Sequence, residues 1–378
     1  ASSFNFASND PSLKAQLRAA MNNDADAEPY YSAVAQIDHA DLHAMNINRR
    51  DSVSTLKASL WFDAVGSTLD DIDGRLSIGD AEYRYNNEQI ESDLIELSVV
   101  SNEDTRRVNL SSEFIDAVFE SRCPYKDVAY YISTLISRYL PQLYDSKTLQ
   151  TIEKKKQLLK NKVALLSVTA KDISPLLDCF VTGVEVAPQS TLNIYMAPGV
   201  NRFIVRGSSE CIERYPYLAS GVTIAANNRG DSLVMDIGSS ELWAGSMRLS
   251  DFSLHGGAKR NVLNLYGEFA DTVRDVRGEV AARALLSRRN DMRHIAVEVL
   301  PSHIGKDNNI WKITSGGIDI DSTRIAVDQF RVYNAVEGQD LTINGVASRQ
   351  QEDSLQLVLK NFELTPFAQF ATKIGYNI

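Results

Sequence analysis

Apolar residues in this chain return at every second position, in short runs closed by Gly, Asn, Asp or Ser. That periodicity constrains the fold more than any other feature. Leu56, Ala58, Leu60 and Phe62 fall on one side of an extended segment, with Thr55, Lys57, Ser59 and Asp63 on the other. The pattern returns in Ile95-Leu97-Val99, Val108 and Leu110, Leu233-Met235-Ile237, Leu263-Leu265, Val276-Gly278-Val280 and Ile295-Val297-Val299. It continues through Ile318-Ile320, Ile325-Val327, Leu341-Ile343 and Leu355-Leu357-Leu359. Successive side chains of a strand point to opposite faces, so each run specifies a half-buried strand. Turns are expected at Asn86-Asn87, Asn227-Asn228-Arg229-Gly230, Gly256-Gly257, Asp307-Asn308-Asn309 and Asn344-Gly345. The chain is mostly β. Faint echoes, such as Asp231-Ser232-Leu233 with Asp353-Ser354-Leu355, keep no fixed period, so a loose ladder of strands fits better than a regular solenoid.

Helical periodicity is confined to the middle. Val128, Tyr131, Ile132, Leu135, Ile136, Tyr139 and Leu140 form one amphipathic face between Ser121 and Pro141. A second helix is expected from Ser146 to about Lys162. A short third one has Asp172 and Ser174 as N-cap candidates, Pro175 at its start and Leu176-Leu177 pointing inward. This divides the chain into an N-terminal β segment (1–120), a helical insertion (121–180) and a C-terminal β segment (181–378).

Charge and motifs then exclude functions. A net charge of −10 speaks against nucleic acid, whose binders carry a dense basic field. The isolated Lys154-Lys155-Lys156 run fits a solvated helix face. No stretch approaches the roughly 18 apolar residues of a membrane span. Three cysteines without CxxC spacing give neither a disulfide framework nor a zinc site. His39 and His43 would present two imidazoles if helical, but Ala40 stands where a zinc protease motif needs Glu, so no metal is expected. His255, His294 and His303 lie near no nucleophile motif, and no phosphate-binding or dinucleotide-binding glycine loop is present, so no cofactor is expected. Arg229-Gly230-Asp231 is most simply a hairpin turn. Asp70-Asp71 and Asp319-Asp321 would serve a glycosidase only if facing each other across about 5–10 Å. Trp61, Trp243 and Trp311 are too scattered to line a sugar path. No catalytic constellation emerges.

What remains is the apolar stripe. Composition alone favours the core of a β-sandwich or of a closed β-helix. The alternative is a long curved sheet whose apolar face stays open to acyl chains, each buried methylene contributing about 0.8 kcal/mol.

Several motifs resemble the AsmA/TamB family in its Bacteroidetes form. They are Leu69-Asp70-Asp71-Ile72-Asp73-Gly74-Arg75-Leu76-Ser77-Ile78 with Tyr83 and Tyr85, and Arg107-Val108-Asn109-Leu110-Ser111-Ser112-Glu113-Phe114-Ile115-Asp116-Ala117. Ser174-Pro175-Leu176-Leu177-Asp178-Cys179-Phe180, Trp311-Lys312-Ile313, Leu341-Thr342-Ile343-Asn344-Gly345 and Asn361-Phe362-Glu363-Leu364 join them. The resemblance spans most of residues 50–378. It implies an elongated, curved antiparallel sheet forming a U-shaped groove, and a non-enzymatic periplasmic role. The chain would be an internal fragment, held at the inner membrane by a segment it lacks. Family members carry phospholipid between the two membranes or assist outer-membrane protein assembly. The implied partners are phospholipid acyl chains and, through regions outside this chain, an outer-membrane barrel protein. On this reading the groove lining comprises Leu60, Phe62, Ile95, Leu97, Leu233, Met235, Ile237, Leu263, Leu265, Val297, Leu355 and Leu357. The competing reading is a structural or adhesive β-sandwich array with a packed core and no lipid.

Overall fold

The structure, a computed structural model, describes residues 2–22, 28–102, 104–179, 181, 183–245, 247–271, 275–289, 292–306, 309–348 and 353–361. Phe180, Asp307-Asn308 and Phe362-Glu363-Leu364 of the motifs above lie outside them. Eight strands come first: β1 (Ser2–Asp10), β2 (Leu13–Asn22), β3 (Tyr30–Asp41), β4 (Ser54–Val65), β5 (Asp73–Tyr85), β6 (Glu88–Ser101), β7 (Arg106–Ser111) and β8 (Ile115–Ser121). Helices α1 (Tyr125–Tyr139) and α2 (Ser146–Lys156), strand β9 (Ala164–Ala170), helix α3 (Ser174–Asp178) and strands β10 (Glu185–Val186) and β11 (Thr191–Ala197) follow. Next come β12 (Arg202–Arg214), β13 (Tyr217–Arg229), β14 (Ser232–Ala244), β15 (Met247–Lys259), β16 (Val262–Asp271), β17 (Val276–Arg289) and β18 (Met292–Val299). The series ends with β19 (Ser302–Lys306), β20 (Asn309–Thr314), β21 (Gly317–Asp321), β22 (Arg324–Asn334), β23 (Gln339–Ser348) and β24 (Leu355–Lys360). The 24 strands form one continuous antiparallel sheet, the mostly β architecture the alternation specifies.

The chain divides into two compact units, Ala1–Ala129 with Asn161–Ala197, and Tyr130–Lys160 with Pro198–Ile378. The 121–180 segment is therefore shared between units, and strand β9 runs through it. In unit 1 each strand from β1 to β9 pairs with the next, and β11 closes on β9. In unit 2, β12 to β18 meander in order. The long β17 also pairs β19, β18 pairs β21, and β22 gathers β20 and β21 before β23 and β24.

Helix α1 carries Asp127 in its first turn and Arg138 in its last, matching the helix dipole, and Pro141 stops its continuation. Its buried stripe is Tyr131, Leu135 and Tyr139; Ile132, expected on that face, is 47% exposed. Helix α2 starts where Asp145 accepts a hydrogen bond from the Thr148 N–H at 2.7 Å, and it buries Ile152. Asp172 and Ser174 do not cap α3; Ile173 takes that position without a side-chain bond. Asn261 fixes the helices to unit 2: its N–H donates to the Tyr139 carbonyl at 2.8 Å, and its Oδ1 accepts from the Gln142 N–H at 2.9 Å.

Two expected turns are strand instead. Gly256-Gly257 lies within β15 and Asn344-Gly345 within β23. Gly256 lies opposite Met235 and Leu265, where a small residue lets larger neighbours lean across. Gly345 takes φ +125°, and a Cβ there would strike the Ser354 carbonyl. The turn at Gly230-Asp231 forms as expected, with Gly230 at φ +56°.

Candidate functional site

Residues directly opposite in an antiparallel sheet share a face, so the register shows which apolar side chains form continuous rungs. In unit 1, Phe6, Leu17, Ala35, Leu60, Ile78 and Ile95 lie opposite one another across β1 to β6. A neighbouring rung runs through Phe62, Leu76, Leu97, Leu110, Ala117, Val168 and Leu192. The opposite face carries Trp61, Ser77, Glu96, Ser111, Asp116 and Thr169, with Arg75 paired to Glu96.

Unit 2 repeats the design. Leu233, Ala258, Leu263, Ala284, Val297, Ile318, Val327, Gly345 and Leu355 make one rung across nine strands. Ala226, Met235, Gly256, Leu265 and Ala282 make the next, and Ile224, Ile237 and Leu254 a third. Leu357 lies opposite Ile343 on the same face. The twelve residues named from the sequence thus share the apolar face of their own unit. Ten are partly exposed, while Leu355 and Leu357 are more open, at 48% and 56%. A packed core would bury them fully.

The unit 1 face deepens into a chamber of about 550 Å³, within the ordinary size range of small-molecule pockets. Register shifts between Ile37 and Ala40 of β3 and between Lys57 and Ser59 of β4 fall beside it, and such bulges bend a strand. Leu60 and Ile95 line the chamber with Ile37, Leu56, Ile78 and Ile90, and α3 and its C-cap add Leu176 and Cys179. Its floor is a cluster of Tyr85, Ile90, Phe114 and Cys179, packed against Tyr83, Ile115 and Leu176.

One edge of the chamber is polar. Arg50 lines it and pairs with the buried Asp51 at 3.0 Å, and its Nη1 donates to the Cys179 carbonyl. The Asn48 amide nitrogen lies 2.9 Å from Asp51 Oδ2 and 3.0 Å from the Tyr83 hydroxyl; the Asn86 amide donates to Asp51 Oδ1 at 3.2 Å. The Arg50 hydrogen bond, then that from Asn48, holds the Asp51 carboxyl below its ordinary range. Burial raises the Tyr85 phenol to about 12, with the neighbouring Cys179 adding to it. Burial likewise raises the Cys179 thiol, which keeps it protonated and a poor nucleophile near neutral pH. The chemistry on offer is apolar contact beside a charge-balanced rim. Arg50 and Asn48 are not singled out by the sequence, and Phe114 and Cys179 stand there only within longer motifs and not as lining residues, because contacts such as Arg50 to Cys179 join positions 129 residues apart.

The remaining polar candidates are taken up locally. His39 lies in strand β3 and His43 in the following turn, so they share no helix face. Among the described residues no group of three His, Cys, Asp or Glu is placed to hold a metal. Asp70 accepts the Tyr125 N–H, and Asp71 accepts the Ser67 N–H. Asp321 accepts the Thr323 and Arg324 N–H groups. Asp319 lies 3.0 Å from Nε2 of the buried His294, whose Nδ1 is 3.1 Å from the Ser287 hydroxyl. These three project from the polar face, the side opposite Leu286 and Ile295. No helix among the described residues is long and apolar enough to cross a membrane. Comparison with protein-family profiles, with characterised proteins and with solved structures finds no match to this chain.

Proposed function

We propose that this chain is a non-enzymatic lipid-binding protein that holds acyl chains along its apolar sheet face. The carrying observation is that face itself: rungs of apolar side chains unbroken over many strands, left partly exposed, and opening in unit 1 into an apolar chamber. Burying about ten methylenes contributes on the order of 8 kcal/mol. That is comparable to the cost of association, so retention depends on chain length and needs no specific polar contact. With the resemblance to the AsmA/TamB family, the setting is the periplasm. There the chain carries phospholipid between inner and outer membrane or assists outer-membrane protein assembly.

Mass spectrometry of organic extracts from the purified protein tests this, with Leu60→Asp and Ile95→Asp combined as the lining variant. The expected result is phospholipid in the parent and its loss from a variant with unchanged circular dichroism. A lipid-free parent, or a folded variant that keeps its lipid, would overturn the proposal. A variant that unfolds would assign the face to a packed core, since an unpaired charge in a core is costly.

A further inference from the structure

We infer that helix α2 and the turn after it form a docking surface for an anionic lipid bilayer, carried by Lys147, Lys154, Lys160 and Leu158. Residues 130–160 hold six basic side chains and two acidic ones, in a chain whose net charge is −10. The three-lysine run that closes α2 does not act as one. Lys155 lies over the Tyr130 ring, 5.3 Å from its centroid, and Lys156 pairs with Glu153 at 3.3 Å, whereas Lys154 is exposed.

Helical spacing decides which side chains face the same way. Ile152 and Leu159 are buried and mark the inner side of the helix and of the turn that follows it. Lys147, Thr151 and Lys154 recur at i, i+4 and i+7 on the outer side, and Leu158 continues the stripe. All four are exposed, Leu158 at 61%. The turn is fixed to unit 2: the Leu158 N–H donates to the Lys155 carbonyl at 2.9 Å, and the Lys160 carbonyl packs directly over Gly199, where a Cβ would clash. Among the described residues no carboxylate pairs with Lys147, Lys154 or Lys160. The helix dipole favours Lys154 in the last turn but disfavours Lys147 in the first, and Lys160 lies beyond the helix, so the dipole does not account for the stripe. A protruding leucine among lysines has the chemistry of a bilayer interface, the leucine entering the acyl boundary while the ammonium groups meet phosphate oxygens. An acidic protein would match the lysines and leave Leu158 without a role. The acidic remainder of the chain does not cancel the attraction, because charge more than about 10 Å from the headgroups is screened. The docking goes beyond the acyl-chain reading and stands without it.

The test is sedimentation of the full chain with vesicles of phosphatidylglycerol and phosphatidylcholine in equal parts, and with vesicles of phosphatidylcholine alone. The parent is expected to bind the mixed vesicles, to be released from them by high salt, and to leave the neutral ones unbound. Each lysine near an anionic surface contributes about fivefold in affinity, so Lys154→Gln combined with Lys160→Gln should weaken binding about 25-fold. Lys154→Arg combined with Lys160→Arg keeps the charge and should bind as the parent does. Leu158→Ser should weaken binding without changing its dependence on salt, because no charge is lost. All the substituted positions are exposed, so each variant keeps the circular dichroism of the parent. Absence of binding to the mixed vesicles, equal binding to the neutral ones, or binding undiminished in the Gln variant would overturn the docking. Lysine-dependent binding of soluble polyglutamate without vesicle binding would overturn it in favour of an acidic protein partner. The chain carrying Leu60→Asp and Ile95→Asp should still sediment with the mixed vesicles, so loss of acyl-chain retention and loss of docking are read separately.

Discussion

The two units present the same kind of face with different side-chain volumes. In unit 1, large residues sit beside large ones: Leu60, Ile78 and Ile95 along one rung, and Phe62, Leu76, Leu97 and Leu110 along the next. In unit 2, large and small alternate along two rungs, Leu233, Ala258, Leu263, Ala284 and Val297, and Met235, Gly256, Leu265 and Ala282, while the short rung of Ile224, Ile237 and Leu254 stays large. Where a neighbour is small, a large side chain can lie across it and cover the sheet. The Phe269 ring rests over Gly278, so close that a Cβ there would fall 2.2 Å from Cζ. Where neighbours are all large they stand up, and the space between them can deepen. Alternation gives a smooth strip, and repetition of bulk gives walls.

The largest expected effect breaks the walls. Phe114 is 6% exposed in the chamber floor, and Phe114→Ala should destabilise unit 1 by about 3–5 kcal/mol through lost burial and the cavity left behind. Trp61 belongs to unit 1, and Trp243 and Trp311 to unit 2, so denaturant unfolding followed by fluorescence can report each separately. Single-tryptophan versions with Phe at the other positions should show the Trp61 transition moving alone. If all three move together, the faces melt as one body and the contrast between them is not energetic.

A middle-sized effect probes the smooth strip. Gly278→Val forces the Phe269 ring off the sheet and should cost about 1–3 kcal/mol, as overpacking does. Gly256→Ala puts a methyl in ordinary contact, 3.4 Å from Met235 Cε and 3.5 Å from Leu265 Cδ2, and should stabilise by up to about 1 kcal/mol through the unfolded chain. Thermal melts of the two variants should therefore move in opposite directions. Equal shifts would show that the large residues of unit 2 do not lie over its glycines.

Strands with bulky alternation were legible because period two survives in any context, and register then placed all twelve named residues on the apolar face of their unit. The region before Thr55 was assigned as β, but its individual strands were not legible, because they alternate with small residues. Leu13-Lys14-Ala15-Gln16-Leu17-Arg18-Ala19-Ala20-Met21 has the composition of a helix. Yet Leu13, Ala15, Leu17 and Ala19 are partly buried in β2 while Lys14, Gln16 and Arg18 are exposed, and pairing with β1 and β3 overrides propensity. Glycine misled in the other direction: Gly256-Gly257 and Asn344-Gly345 look like turns, but what fixes them is the bulk or backbone of the neighbouring strand. The chamber was invisible for a related reason. Its floor joins Tyr85 and Ile90 to Phe114 and Cys179, and periodicity reports the face of a residue without naming its distant neighbours.

The smallest effect separates the units by the cause of one shared property. Tyr85 in unit 1 and Tyr266 in unit 2 both have phenols raised to about 12, the first chiefly by burial, the second chiefly by its hydrogen bond to Glu268. In both the fold favours the neutral phenol. The associated stability is fully present below the ordinary tyrosine value near 10 and is lost as pH rises from there through about 12. The cures differ. Glu268→Gln removes the carboxylate and should return Tyr266 toward 10 while leaving Tyr85 in place. Phe114→Ala admits water to the chamber and should lower Tyr85 while leaving Tyr266 unmoved. Ring-carbon chemical shifts of labelled tyrosine, followed from pH 9 to 12.5, read both residues in one titration. If either variant lowered both phenols together, burial and hydrogen bonding would not be the separate causes assigned here, and the chamber of unit 1 and the polar side of unit 2, from which Tyr266 projects, would share one electrostatic environment.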